Sequence, residues 1–121
     1  MRFSNSHEWA EKFDENTLII GITNYGKMHL GQIINIKLPD LKKVNANEEV
    51  CIVESDKAAV DVHSPISGEI IDVNKELNQS LDKLNTSPEK EGWIFKIKVQ
   101  NFDEFEKLLS LEDYEKKVSK S

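Results

Sequence analysis

The 121-residue chain has one cysteine, three histidines, three prolines and five glycines, and each shortage removes a class of protein. A single cysteine, Cys51, excludes an internal disulfide and a cysteine metal cluster and suits a reducing compartment. Set in Val50-Cys51-Ile52-Val53, it reads as a small buried hydrophobe. His7, His29 and His63 are widely spaced, and no HExxH, CxxC or glycine-rich phosphate loop occurs, so no metal, nucleotide site or catalytic residue is expected. Basic residues are also short: 16 against 22 acidic, net charge −6, which argues against nucleic acid and acidic membranes as partners. No apolar run approaches a bilayer span, and Met1 to Asn5 leads into polar residues instead of a signal peptide's hydrophobic stretch. The expected location is a bacterial cytoplasm, or the mitochondrial matrix for a processed eukaryotic chain.

With 38% hydrophobic and 31% charged residues, the chain has the composition of a soluble globular protein, and its length allows one core. Trp9 to Phe13 and Leu18 to Thr23 form an opening hairpin around a polar turn. Asn24 to Leu30 makes a short helix with Thr23 or Asn24 as N-cap and Gly31 as terminator. Strands follow at Ile33 to Leu38, Glu48 to Glu54, Ala59 to Val62 and Glu69 to Val73. Asn74 caps a short helix through Leu77, and Trp93, Phe95, Ile97 and Val99 share one face of a last strand. Phe102, Phe105, Leu108 and Leu109 recur at helical spacing, and Ser110 caps a further helix carrying Tyr114 and Val118 before a fraying tail, 116 to 121.

One internal repeat adds to these propensities. The run from Gly31 to Lys37, GQIINIK, returns as GEIIDVN from Gly68 to Asn74, matching in polarity at every position. Two related half-sheets facing each other would explain it, giving a mainly β fold with peripheral helices: a flattened β-sandwich with quasi-two-fold symmetry. Coincidence between two short strands is the alternative.

Lys57 lies at the tip of a tight hairpin, in a type I-like turn over Ser55-Asp56-Lys57-Ala58, where a modifying enzyme can reach its amine. Glu54-Ser55-Asp56-Lys57-Ala58 resembles the lipoylation site of lipoyl carrier domains; biotin carriers place Met on both sides of the lysine, unlike Asp56 and Ala58 here. Beyond this motif, residues 6 to 118 resemble the glycine cleavage H-protein family. The resemblance runs through Ser6-His7-Glu8-Trp9, Gly21-Ile22-Thr23, Leu30-Gly31, Leu38-Pro39, Val53-Glu54-Ser55, Ser64-Pro65-Ile66-Ser67-Gly68-Glu69, Val73-Asn74 and Pro88 to Trp93. Lys42 in place of a turn glycine, Gly26 in place of alanine, Cys51 in place of another small residue and Asp56 before the lysine depart from the family pattern.

The resemblance implies a lipoyl-domain-like sandwich or hybrid barrel, one carrier domain over 1–121 with a core at about 6–100 and a C-terminal helical segment at about 102–118. It implies lipoic acid in amide linkage to Lys57, with Glu54 and Gly68 serving lipoylation recognition. Ser6, Glu8 and Asp61 would line a cleft sheltering the aminomethyl-bearing arm. The expected function is carriage, without catalysis by the chain itself, of the aminomethyl group of glycine. It passes from the pyridoxal-phosphate glycine decarboxylase (P protein) to the tetrahydrofolate-dependent aminomethyltransferase (T protein), and dihydrolipoyl dehydrogenase (L protein) reoxidises the arm. A lipoyl ligase or transferase would attach the lipoate, and the carrier is expected to be a monomer. Rival readings are an H-like lipoyl relay or regulatory protein, a detached lipoyl domain of an acyltransferase complex, and a structural β-domain with an unmodified lysine. Ser6, Glu8 and Asp61 favour the glycine cleavage role.

Overall fold

The computed structural model describes residues 1–120. The strands are β1 (Arg2–Phe3), β2 (Glu8–Asp14), β3 (Thr17–Ile22), β4 (Ile33–Lys37), β5 (Lys43–Val44), β6 (Glu49–Ser55), β7 (Ala59–His63), β8 (Gly68–Val73) and β9 (Phe95–Lys98). They form two open antiparallel sheets, ordered β1-β2-β3-β9-β8-β5 and β4-β6-β7. The main core draws on both: Leu18, Ile20, Phe95, Ile97 and Ile70 from the larger sheet meet Ile33, Cys51, Val53 and Val62 from the smaller. This is the expected flattened sandwich, and Cys51 is buried in it, with burial pushing its thiol pKa up to about 12.

The repeat has a structural counterpart. Its two halves are β4 and β8, one in each sheet. The matched residues Ile33 and Ile70 are each 1% exposed, whereas the next residues, Ile34 and Ile71, are 59% and 43% exposed. Both ladders slip at this same place, between Ile33 and Asn35 and between Ile70 and Asp72. A bulge adds one residue and turns the following side chains to the other face, which accounts for the two exposed residues in a row in each copy, Ile34-Asn35 and Ile71-Asp72, before Ile36 and Val73 turn back toward the core.

Period-two alternation sorts β2 and β3 in the same way. Ala10, Leu18 and Ile20 enter the main core, while Trp9 and Ile19 join Phe3, Trp93, Leu109, Tyr114 and Val118 in a second cluster. The latter is closed by α4 (Leu111–Ser119), whose N-cap Ser110 accepts from the Asp113 N–H. Helix α1 (Asn24–Leu30) starts at Thr23, whose hydroxyl accepts from the Gly26 N–H, and ends at Gly31.

Several local expectations change. Trp93 does not share the face of Phe95 and Ile97; it sits in a turn, its N–H donating to the Lys90 carbonyl, and packs in the second cluster. Lys75–Asn78 is a single 3-10 turn, and the Asn74 side chain does not cap it but donates to the carbonyls of Glu91 and Trp93. The helix expected through Leu109 lasts one turn, α3 (Asp103–Glu106), because Leu109 and Phe3 exchange two backbone hydrogen bonds of 2.8 Å. The tail is helical to Ser119; Ser121 lies outside the described residues. Strands β1 and β5 and helix α2 (Asp82–Thr86) carry too little periodicity to be read from sequence.

Candidate functional site

The β6–β7 hairpin is closed by Ser55. Its hydroxyl accepts from the backbone N–H groups of Lys57 and Ala58, each at 3.1 Å, and its own N–H donates to the Ala58 carbonyl at 2.8 Å. The Ala58 N–H thus goes to a side chain and not to the carbonyl that a type I turn would use. Lys57 stands exposed at this tip, and among the described residues its Nζ has no hydrogen-bond or ion-pair partner.

Below the lysine lies Gly31, with φ 85° and ψ −153°. A Cβ there would fall 3.1 Å from Asp56 Oδ1, 3.3 Å from Lys57 Cε and 3.6 Å from Lys57 Nζ. The Gln32 carbonyl accepts from the Asp56 N–H at 3.1 Å, pinning the hairpin to the end of α1. The backbone angles at Gly31 therefore call for glycine, and the absence of a Cβ leaves space beside the lysine. That space, and an amine with nothing to give up, fit an acyl group joined to Nζ.

Leu30, the residue before Gly31, helps to wall a cleft of about 450 Å³ together with His29 of α1, Ser6, Glu8, Asp61 and His63. The three residues expected to share a cleft do so. Asp61 is exposed on β7, four residues beyond Lys57, a span of no more than about 14 Å. Glu8 is only 2% exposed, because it lies on the inward face of β2 with Ala10. Its Oε1 accepts from the hydroxyls of Ser4 at 2.6 Å and Ser6 at 2.5 Å, and its Oε2 from the His63 N–H at 3.1 Å. Burial nevertheless dominates these bonds and raises the Glu8 pKa above the ordinary carboxyl value.

His7, just before β2, takes φ 70° and hydrogen-bonds through Nδ1 to the Tyr114 hydroxyl, which also pairs with Thr23. Burial, then Lys117 and His29, lower its pKa. His7, Tyr25 and His29 line the cleft with their rings in sequence, at centroid separations of 4.9 and 4.3 Å.

Glu54 is exposed beside the hairpin and accepts from the Asn35 side chain at 2.9 Å. Gly68 is different. Among the glycines, positive φ occurs only at Gly31, so no backbone angle demands glycine at Gly68. Gly68 pairs with Val44 in the six-stranded sheet, and a Cβ there would meet the Lys98 carbonyl oxygen at 2.3 Å. Its constraint is close strand approach. Sequence reasoning also passed over Tyr25, His29 and His63 as cleft residues, Ser4 as a hydrogen-bond partner of Glu8 and Gly31 as the seat of the lysine; the Leu30-Gly31 pair, at the end of a capped helix, was the available signal.

A profile of the glycine cleavage H-protein family matches residues 1–121. The chain belongs to that family. It is 43% identical over 115 residues to the glycine cleavage system H protein of Saccharophagus degradans, covering 94% of this chain and 88% of that one. The probable glycine cleavage system H protein of Aeropyrum pernix is 42% identical over 121 residues, covering 99% and 84%. A crystal structure of the glycine cleavage system H protein from Mycobacterium marinum superposes with a TM-score of 0.85 at 25% identity, over 97% of this chain and 94% of that one. Among the described residues no cluster could hold a metal ion, and no helix is long and apolar enough to cross a membrane.

Proposed function

We propose that this chain is the single-domain, non-catalytic lipoyl carrier of a glycine cleavage system, with lipoate amide-linked to Lys57. It takes the aminomethyl group of glycine from glycine decarboxylase to aminomethyltransferase, is reoxidised by dihydrolipoyl dehydrogenase, is lipoylated by a lipoyl ligase or transferase, and works as a cytoplasmic monomer. The observation that carries this reading is one juxtaposition: an exposed, unpaired lysine seated over Gly31, the residue that follows Leu30 in the wall of a cleft holding two carboxyl groups.

When bound, lipoate supplies a disulfide that exchanges to a dithiol and can accept a carbon fragment on one sulfur. Everything else falls to the chain. Ser55 and Gly31 hold Lys57 outward, and tethering raises the local concentration of the cargo at each partner. An aminomethyl cargo is cationic near neutral pH, and Glu8 and Asp61 offer it negative charge. Ser4 and Ser6 orient Glu8, and the apolar walls from Ile22, Leu30 and Val62 limit water.

The test has two arms. Lys57→Arg incubated with lipoyl ligase, ATP and lipoate should gain no lipoyl mass, while the unaltered chain gains one group. A chain bearing both Glu8→Ala and Asp61→Ala should still be lipoylated, yet lose its cargo faster than wild type after loading by glycine decarboxylase without tetrahydrofolate. Modification of Lys57→Arg would overturn the attachment site; failure of the lipoylated wild type to load would favour a lipoyl relay.

A further inference from the structure

His63 ends β7 and borders two hollows: the cleft, and a second one of about 500 Å³ walled in part by Ser4, Asn47 and Lys107. Its backbone N–H bond to Glu8 fixes the ring beside that carboxyl group. Nδ1 lies 3.8 Å from Glu8 Oε2, and Nε2 lies 3.9 Å from Glu49 Oε1. Both gaps exceed hydrogen-bond length. Nδ1 is buried without a hydrogen-bond partner among the described residues, a costly arrangement that a closer approach to Glu8 would relieve.

We propose that His63 is a positioning residue that receives the proton Glu8 gives up when a cationic cargo enters the cleft and passes it to solvent on the Glu49 side. This rests on the carrier reading above. With the cleft empty, burial favours a protonated Glu8; a cation needs it ionised. In the transfer the Glu8 O–H bond breaks and an N–H bond forms at Nδ1, with no oxidation or reduction. The imidazolium then loses its Nε2 proton to water beside the exposed Glu49, leaving the other neutral tautomer. One proton leaves per cation bound, and the reverse path restores the empty state.

The surroundings suit that traffic. Facing the ring or the hollows beside it are Glu8 from β2, Glu49 from β6, Asp61 from its own strand, Lys107 after α3, and His7 and His29 across the cleft. His7, its proton affinity lowered by burial and Lys117, is a poor competitor for the proton.

The experiment uses the full lipoylated chain as wild type, Glu8→Gln, His63→Gln and His63→Asn. Nuclear magnetic resonance follows the His63 ring nitrogens and the Glu8 carboxyl carbon before and after loading. In the unloaded wild type the Glu8 carboxyl carbon should read as protonated and the His63 ring as its Nε2–H tautomer at the pH of loading; loading should ionise Glu8 and leave the ring as its Nδ1–H tautomer, and should leave the ring unchanged in Glu8→Gln. After loading by glycine decarboxylase, both His63 variants should shorten the cargo's lifetime near pH 7 by about tenfold, and the loss should grow as pH falls. A His63 ring that keeps its tautomer when the wild type is loaded, or a lifetime unchanged in both His63 variants, overturns the proposal while leaving the carrier reading in place. A lipoylated wild type that does not load overturns the carrier reading, and the proposed transfer on loading falls with it.

Discussion

Replacing Gly31 with alanine tests the seat of the lysine. At φ 85° and ψ −153° the backbone occupies a region essentially reserved for glycine, and forcing an L-residue there costs about 1–3 kcal/mol. The residue cannot readily relax, because its N–H donates to the Lys27 carbonyl at 3.1 Å and the next carbonyl, of Gln32, holds the Asp56 N–H at 3.1 Å. The new Cβ would press on Asp56 Oδ1 at 3.1 Å and Lys57 Cε at 3.3 Å. Both are far ends of exposed side chains that can swing aside, so backbone strain dominates the stability change and the contacts act on the lysine's position. Taking about 2 kcal/mol and roughly 4 °C per kcal/mol for a chain of this length, Tm should fall by about 8 °C. Circular dichroism melts measure that fall, and mass-resolved lipoylation at 20 °C below both midpoints should show a several-fold slower reaction. A melt within about 1 °C of wild type would refute the strain reasoning.

Gly68→Ala should lower stability by about 1–3 kcal/mol, since its Cβ would meet a backbone oxygen of β9 at 2.3 Å, but should leave the lipoylation rate of the folded protein unchanged; slowed lipoylation would contradict its placement in the other sheet. Trp9→Phe removes the 2.9 Å bond from Nε1 to the Pro88 carbonyl and opens a void, and urea melts should show a loss of about 2–3 kcal/mol. For Glu8 the sign is set by burial: a raised folded-state pKa gives stability that is fully present below the unfolded value and is lost as pH rises through the folded one. On a His63→Gln background, so that one member of the pair titrates, adding Glu8→Gln should become relatively more stabilising as pH rises above the ordinary carboxyl range. A relative stability that falls over that interval would mean that the serine and amide hydrogen bonds outweigh desolvation.

Local signals in the chain fixed the elements that need few distant partners. Thr23 and Ser110 cap helices because a hydroxyl reaches an N–H three residues on, and the Lys57 hairpin closes within four residues through Ser55. The repeated GxII pattern located two equivalent strands, since alternation and its interruption are written in sequence. The Ser6, Glu8 and Asp61 group was legible from resemblance, although nothing in their spacing places them together. Tertiary structure alone decided the burial of Glu8, the approach of His63 to it and the steric demand at Gly68. Each depends on which strand lies alongside: Gly68 is constrained by Lys98, and Glu8 is held by an amide 55 residues away. It also decided where helices yield, as at Leu109, where two hydrogen bonds to Phe3 outweigh local helical spacing. Side-chain periodicity records which face a residue takes, but desolvation and close approach depend on the chain that covers that face, and that information is distributed over the whole fold.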